Sequence, residues 1–158
     1  MNEDWVYEDC DGKLVVILNH IVKRLLEHRQ LKIDSVEAGG VLIGERRGSN
    51  LVVCDMSEPG PGDVQSRTSI DRRGSHHQEK VDQSFKASEG FHLYLGEWHT
   101  HPEDIPSPSL RDLTSWRLNL VRSKTMLVLI VGRQDLWIAK VSGNTIVELR
   151  PIARNHNK

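Results

Sequence analysis

The chain has 158 residues, enough for one domain with a single substantial core, and its 21 Lys and Arg nearly balance 22 Asp and Glu. A net charge of -1 gives no general attraction to nucleic acid or to an anionic membrane, so any partner must be argued from a site. The two cysteines, Cys10 and Cys54, lack Cys-x-x-Cys spacing, which excludes a cysteine-rich zinc knuckle and suits reduced thiols.

The amino-terminal run Met1-Asn2-Glu3-Asp4-Trp5 is acidic, with neither a positive nor an apolar leader region, and no apolar stretch approaches membrane-spanning length. A cytoplasmic protein is expected, with 1–158 as one domain and a core over about 13–152. Lys13 to Ile17 is a short β-branched run. From Asn19, read as a helix cap, Ile21, Val22, Leu25 and Leu26 form one apolar stripe, with His20 and His28 placed on the solvent face. Ala38 to Arg46 and Asn50 to Met56 read as a hairpin turned at Arg47-Gly48-Ser49-Asn50. Glycine weakens a strand, so Gly39, Gly40 and Gly44 imply that something comes close to this backbone, either a simple bulge or an extended substrate tail.

From Glu58 to Gly74 the composition shifts to Pro, Gly, Ser, Asp and Arg, giving a long polar loop without apolar periodicity. Its Arg67, Asp71, Arg72 and Arg73 fit either a solvated charge run or a flap over substrate. His76 and His77 follow, and as adjacent residues pointing in different directions they are not expected to share a metal. Gln78 to Ser88 reads as a short helix with Val81, Phe85 and Ala87 on its apolar side, ending at Gly90. Phe91 to His101 then reads as a strand stopped by Pro102. Ser109 opens a second amphipathic run with Leu110, Leu113, Trp116 and Leu120 at helical spacing. Three β-rich segments close the chain, Thr125 to Val131, Leu136 to Val141 and Thr145 to Ile152, the last two as a hairpin. Helices alternating with strands in this order argue for an α/β domain with a mixed sheet.

The clustered metal chemistry lies between Glu97 and Asp112. On a strand, His99 and His101 project from one face, with Cα atoms roughly 6 to 7 Å apart, a span that two imidazoles reaching one zinc can close. Ser109 and Asp112, three apart, share a face of the helix start, and a helix docked on the strand end would offer both to that metal. Ser109-x-x-Asp112 is equally the pattern of a plain capping box. Two His and one Asp leave a fourth tetrahedral position for water, the mark of a catalytic zinc. Three glutamates compete for the general base that such a site needs: Glu37, Glu97 and Glu103. Glu97 has the parity of the histidines, and Glu103 lies in the turn.

His99-x-His101-Pro102, the ten-residue gap to Asp112 and the Ser109 three before it resemble the signature of the JAMM, or MPN-plus, zinc metallopeptidases, which remove ubiquitin or ubiquitin-like proteins from their targets. That resemblance implies an α/β MPN (JAB/JAMM, cytidine-deaminase-like) domain, a mixed, mostly antiparallel curved sheet covered by helices. It also implies a catalytic Glu upstream, followed by glycines and an apolar run, and so selects Glu37, before Ala38-Gly39-Gly40-Val41-Leu42-Ile43-Gly44. Ser109 becomes a donor to the oxyanion and His99, His101 and Asp112 the Zn2+ ligands; Thr100, where many family members have Ser, points away from the metal face by strand parity. The run Gly96 to Asp104 with Pro106-Ser107-Pro108-Ser109 is most similar to JAMM peptidases of anti-phage CBASS operons. The implied activity is isopeptidase release of the C-terminal tail of a cGAS/DncV-like nucleotidyltransferase, or of another ubiquitin-like conjugate, opposing an E1-E2-like conjugating protein. A peptidase trimming a sulfur-carrier protein is the enzymatic alternative, and an inactive MPN scaffold the non-enzymatic one. No nucleic-acid or membrane partner is expected.

Overall fold

The computed structural model describes residues 3–152. In chain order it contains β1 (Trp5–Glu8), β2 (Leu14–Ile17), α1 (Asn19–Glu27), β3 (Gly39–Arg47), β4 (Asn50–Met56), β5 (Val64–Gln65), β6 (Ile70–Asp71), α2 (His76–Ala87), β7 (Leu93–Thr100), α3 (Leu110–Asn119), β8 (Met126–Val131), β9 (Leu136–Ser142), β10 (Thr145–Glu148) and β11 (Arg150–Pro151). Strands β5 and β6 form a separate two-stranded ribbon, and the other nine form one sheet in the order β10-β9-β8-β7-β3-β4-β2-β1-β11. The β2–β4 and β7–β8 pairs are parallel and the remaining neighbours antiparallel, a mixed and mostly antiparallel sheet. Strands β10 and β11 lie at opposite ends of that order, yet only Leu149 separates them in the chain. The sheet must therefore curl until its two ends approach. Buried Leu149 sits at the closure, its N–H donating to Ile138 O at 2.9 Å, and Lys140 Nζ reaches Asp9 Oδ2 at 2.8 Å nearby.

Helices cover both faces. Strand β8 shows why its sequence, Met-Leu-Val-Leu-Ile-Val, has no polar alternation: each face of the strand is buried in a different core. Leu127, Leu129 and Val131 join Ile21, Val22 and Leu25 of α1 with Leu42, Met56, Leu95 and Trp98, whereas Met126, Val128 and Ile130 join Trp116 and Leu120 of α3. Burying one such aliphatic side chain stabilises the fold by about 1.5–3 kcal/mol. Among the described residues no helix is long and apolar enough to cross a membrane.

Several expectations need correction. The α1 cap is Leu18, in extended conformation, and Asn19 is the first helical residue, its backbone N–H satisfied by Asp4 Oδ1 at 2.8 Å. The segment before residue 13 is not outside the core, because β1 pairs with β2 and β11 and buries Tyr7. The run Thr145 to Ile152 is two strands, not one. Helix α2 begins at His76 and buries His77 and Ser84, leaving Phe85 and Ala87 exposed, and Phe85 lies over Gly90 instead of entering a core. Leu110 is also exposed, so α3 packs through Leu113, Trp116 and Leu120. His28 is half-buried, bonded to Glu58 at 2.7 Å and packed against Trp98, while His20 stays exposed.

Candidate metal centre and active site

Strand β7 carries His99, and the chain leaves the sheet just after it with His101 still tied in, its N–H donating to Val131 O at 3.0 Å. The parity of an extended chain brings both rings to one face, their Nε2 atoms 3.1 Å apart. Helix α3 starts opposite. Its capping box is real: Ser109 Oγ accepts from the Asp112 N–H at 3.1 Å, and Asp112 Oδ2 accepts from the Ser109 N–H at 2.9 Å. The same carboxylate also reaches the rings, Oδ1 at 3.2 Å from His99 Nε2 and Oδ2 at 3.1 Å from His101 Nε2. The capping and ligand readings of Ser109-x-x-Asp112 are thus compatible, the cap fixing the carboxylate that faces the imidazoles. Ser109 Oγ accepts in the cap and lines the cleft, and a hydroxyl that accepts still has a proton to donate.

Whether these residues fit a metal can be tested on their spacing. A tetrahedral ion with ligands at about 2.0–2.1 Å has ligand-to-ligand edges of about 3.3 Å. Here the two Nε2 atoms are 3.1 Å apart, and the Asp112 carboxylate meets each ring through a different oxygen, Oδ1 at 3.2 Å from His99 and Oδ2 at 3.1 Å from His101. His101 Nδ1 is 2.7 Å from Glu103 Oε1, the outer contact that fixes a ligating imidazole with its other nitrogen free for metal. Two imidazoles and a carboxylate, so spaced and so oriented, fit a metal. Burial disfavours the charged form of His101, but hydrogen bonds to Asp112 and Glu103 outweigh it and hold the ring at a pKa of about 8. Asp112 is half-buried, which raises its pKa, yet hydrogen bonds to both histidines pull it well below the usual carboxylate range.

The competing glutamates separate in the structure. Glu37 is buried and lines the same cleft, two residues before Gly39, which pairs with His99 across β3 and β7. Its backbone is held on both sides, the N–H donating to Ser66 O at 2.7 Å and the carbonyl accepting from Gln65 Nε2 at 3.0 Å. Burial raises its pKa, opposed by the charges of His99 and His101. Glu97 does lie on the histidine face but is tied to Arg72 Nη2 at 2.6 Å. Glu103 is engaged with His101.

The cleft has a volume of about 870 Å³ and runs between the ribbon β5–β6 and helix α3, with the metal-type cluster on its floor. Of the two readings of the polar loop, a solvated charge run or a flap, its position as a wall of the cleft agrees with the second. The glycines of β3 admit not a substrate but the protein's own elements. A Cβ at Gly39 would stand 2.9 Å from Trp98 O and 3.1 Å from Ile70 Cγ2, and one at Gly40 or Gly44 would collide with Ser57 O or Val52 O at 2.1 and 1.8 Å.

Two features escaped the sequence reading. Gln30 and Thr100, both wholly buried, form a relay under the catalytic strands: Thr100 Oγ1 accepts from the Ala38 N–H at 3.0 Å and donates to Gln30 Oε1 at 2.7 Å, and Gln30 Nε2 donates to Arg67 O at 2.7 Å and Ser35 O at 3.2 Å. Thr100 does point away from the metal face, and what it meets there is this relay. The second concerns His76 and His77, whose rings are 4.0 Å apart and whose Nε2 atoms lie 3.6 and 2.9 Å from Asp63 Oδ2, close enough to share an ion. Adjacency did not keep them apart, because one step in a helix turns only about 100°. The hydrogen bonds nevertheless describe a clamp. Asp63 accepts from Gly60, Gly74 and His77, His77 Nδ1 accepts from Ser57 Oγ at 2.6 Å, and His76 Nε2 donates to Glu58 O at 2.7 Å. A nitrogen that donates to a carbonyl has no lone pair for a metal. Cys10 and Cys54 are both free.

Comparison with known proteins agrees with this layout. The family described as prokaryotic homologs of the JAB domain matches residues 18–142. A protein named CD-NTase/cGAS isopeptidase from Vibrio cholerae serotype O1 is 55% identical over 147 residues, covering 93% of this chain and 94% of that one. Another of the same name from Escherichia coli (strain TW11681) is 51% identical over 150 residues, covering 95% and 96%. Among solved structures, a Desulfitobacterium hafniense protein superposes with a TM-score of 0.62 at 21% identity, covering 85% of this chain and 88% of that one, a likeness of fold.

Proposed function

The chain belongs to the family of prokaryotic homologs of the JAB domain, and from that premise we propose that it is a zinc-dependent isopeptidase acting on the C-terminus of a CD-NTase joined to a target amine. In this reading it opposes an E1-E2-like conjugating protein in an anti-phage CBASS system. The observation that carries the chemistry is the convergence of His99, His101 and Asp112 at 3.1–3.2 Å in a cleft that also holds buried Glu37. The names of the relatives support the substrate class.

His99, His101 and Asp112 would hold a zinc ion, which would supply a Lewis acid for the scissile carbonyl and a water whose pKa falls from about 15.7 to about 7. The Glu37 carboxylate accepts the proton of the attacking water and returns it to the leaving amine, and its burial raises its pKa toward the range where it can do both. Water oxygen adds to the carbonyl carbon, the C–N bond breaks, and a free C-terminal carboxylate and a free amine result. Ser109 donates its O–H to the oxyanion as the carbonyl opens, a contact typically worth about 10²- to 10³-fold in rate. The ribbon β5–β6 offers an extended tail a strand to pair with along the cleft, main-chain bonds giving affinity.

Incubating the zinc-loaded protein with a nucleotidyltransferase whose C-terminus is linked to a lysine ε-amine, and weighing the products by mass spectrometry, tests the proposal. Intact tail and unmodified amine are expected. No cleavage, or cleavage at another bond, would overturn it.

A further inference from the structure

Ribbon β5–β6 is too short to be stable alone, two residues in each strand, so its position against the sheet is set by what fastens it. At its turn, Gln30 Nε2 donates to Arg67 O at 2.7 Å, and three further fastenings fall in order along the segment that begins at Glu37. Ser66 O and Gln65 Nε2 hold the backbone of Glu37. Ile70 lies on Gly39, where a side chain would crowd it. Arg72, just past the ribbon, then divides its guanidinium, Nη1 donating to Gly40 O at 2.9 Å and Nη2 to Glu97 Oε2 at 2.6 Å.

The last fastening differs in kind. Glu97 is a carboxylate on the metal-facing side of β7 with its side chain 10% exposed, and that of Arg72 is 26% exposed. A buried carboxylate deprived of its counter-charge is strongly unfavourable, so lifting the ribbon away from the sheet strands a charge that the closed ribbon satisfies. The other charged residues of the segment do not do this. Arg73 pairs with Asp71 at the surface, and Arg67 turns back to Ile33 O. Arg72 alone of this group grips both strands of the site at once, β3 through Gly40 and β7 through Glu97.

We propose that Arg72 is a positioning residue, with Glu97 as its anchor, that holds the ribbon as a preformed wall of the cleft and so sets the affinity for an extended peptide tail. Its role in affinity rests on the isopeptidase reading above, while its role in holding the ribbon does not. The pair is absent from the proton-transfer path, so its loss should appear in KM and spare kcat.

The test uses the full-length zinc-loaded protein carrying Arg72→Ala alone, Arg72→Ala with Glu97→Gln so that no unpaired carboxylate is left buried, and Arg72→Lys. Amide hydrogen exchange of residues 64–71, zinc content and steady-state kinetics on the nucleotidyltransferase conjugate are measured for each. In the double variant the ribbon amides should exchange faster and KM should rise roughly ten-fold, with kcat within about three-fold of the parent and zinc still stoichiometric. Arg72→Lys keeps the charge but cannot divide one ammonium between two strands as a planar fork does, so its KM should fall between the two. Ribbon exchange and KM both unchanged in the double variant would overturn the proposal. A fall in kcat accompanied by zinc loss would also overturn it, because the pair would then be supporting the metal centre and not the ribbon. If the parent protein does not cleave the conjugate, the isopeptidase reading fails, and the exchange measurement alone still decides whether Arg72 holds the ribbon.

Discussion

Replacing Thr100 with valine removes one hydroxyl and almost no volume, yet the relay beneath the site makes it a costly change. The hydroxyl is the partner of both the Ala38 N–H and Gln30 Oε1, and Thr100 and Gln30 are wholly buried. Valine leaves two buried polar groups unpaired at about 1–3 kcal/mol each, so a loss of about 2–6 kcal/mol is expected. Thr100→Ser keeps the hydroxyl and removes one methyl, for about 1 kcal/mol. Against a total stability of about 5–15 kcal/mol the first is a large fraction and the second is not. Urea unfolding of chelator-stripped protein is the assay, because a bound metal would stabilise the native state by mass action and mask the difference. A Thr100→Val protein within about 0.5 kcal/mol of the parent, or no more destabilised than Thr100→Ser, would refute the relay.

Glu37→Gln should lower kcat by about 10²- to 10⁴-fold while zinc content and the unfolding midpoint stay near the parent values, measured by single-turnover cleavage and elemental analysis. Glu103→Ala removes the acceptor of His101 Nδ1, and zinc affinity measured by competition with a chelating dye should fall about 10- to 100-fold. In the metal-free protein His101 keeps its proton up to about pH 8, and only the neutral ring binds metal. Protonation of this ring alone should therefore weaken zinc binding about five-fold from pH 8 to pH 7, with further loss below, and affinity independent of pH across this range would contradict the Asp112 and Glu103 contacts.

The site was legible where its geometry is local. Strand parity placed His99 and His101 on one face, and the spacing of Ser109 and Asp112 wrote the capping box that aims the carboxylate, because both depend only on the period of the backbone. What distinguishes Glu37 from Glu97 is not local. Parity put Glu97 on the correct face, and only Arg72, 25 residues away in sequence, shows that its carboxylate is already engaged. Gln30 belongs to the same class: an isolated glutamine after a helix carries no pattern, and its role exists only because Thr100, Ser35 and Arg67 meet there. Hairpin β3–β4 and the apolar run of β8 announced themselves, but β1 and β11 are four and two residues long and pair across nearly the whole chain, which no window of periodicity can register. The resemblance to JAMM peptidases supplied the curved sheet, while the reason for its curl, the single residue between β10 and β11, lay in the pairing.

The most direct test of the account is a zinc titration of the chelator-stripped protein, with turnover of the nucleotidyltransferase conjugate followed at each addition. Activity should be absent without metal and rise linearly to a plateau at one zinc per chain, and neither zinc binding nor activity should return in a His99→Ala, His101→Ala double variant. Turnover by the stripped protein, or stoichiometric zinc retained by the double variant, would contradict the assignment of His99, His101 and Asp112 as the centre of an isopeptidase.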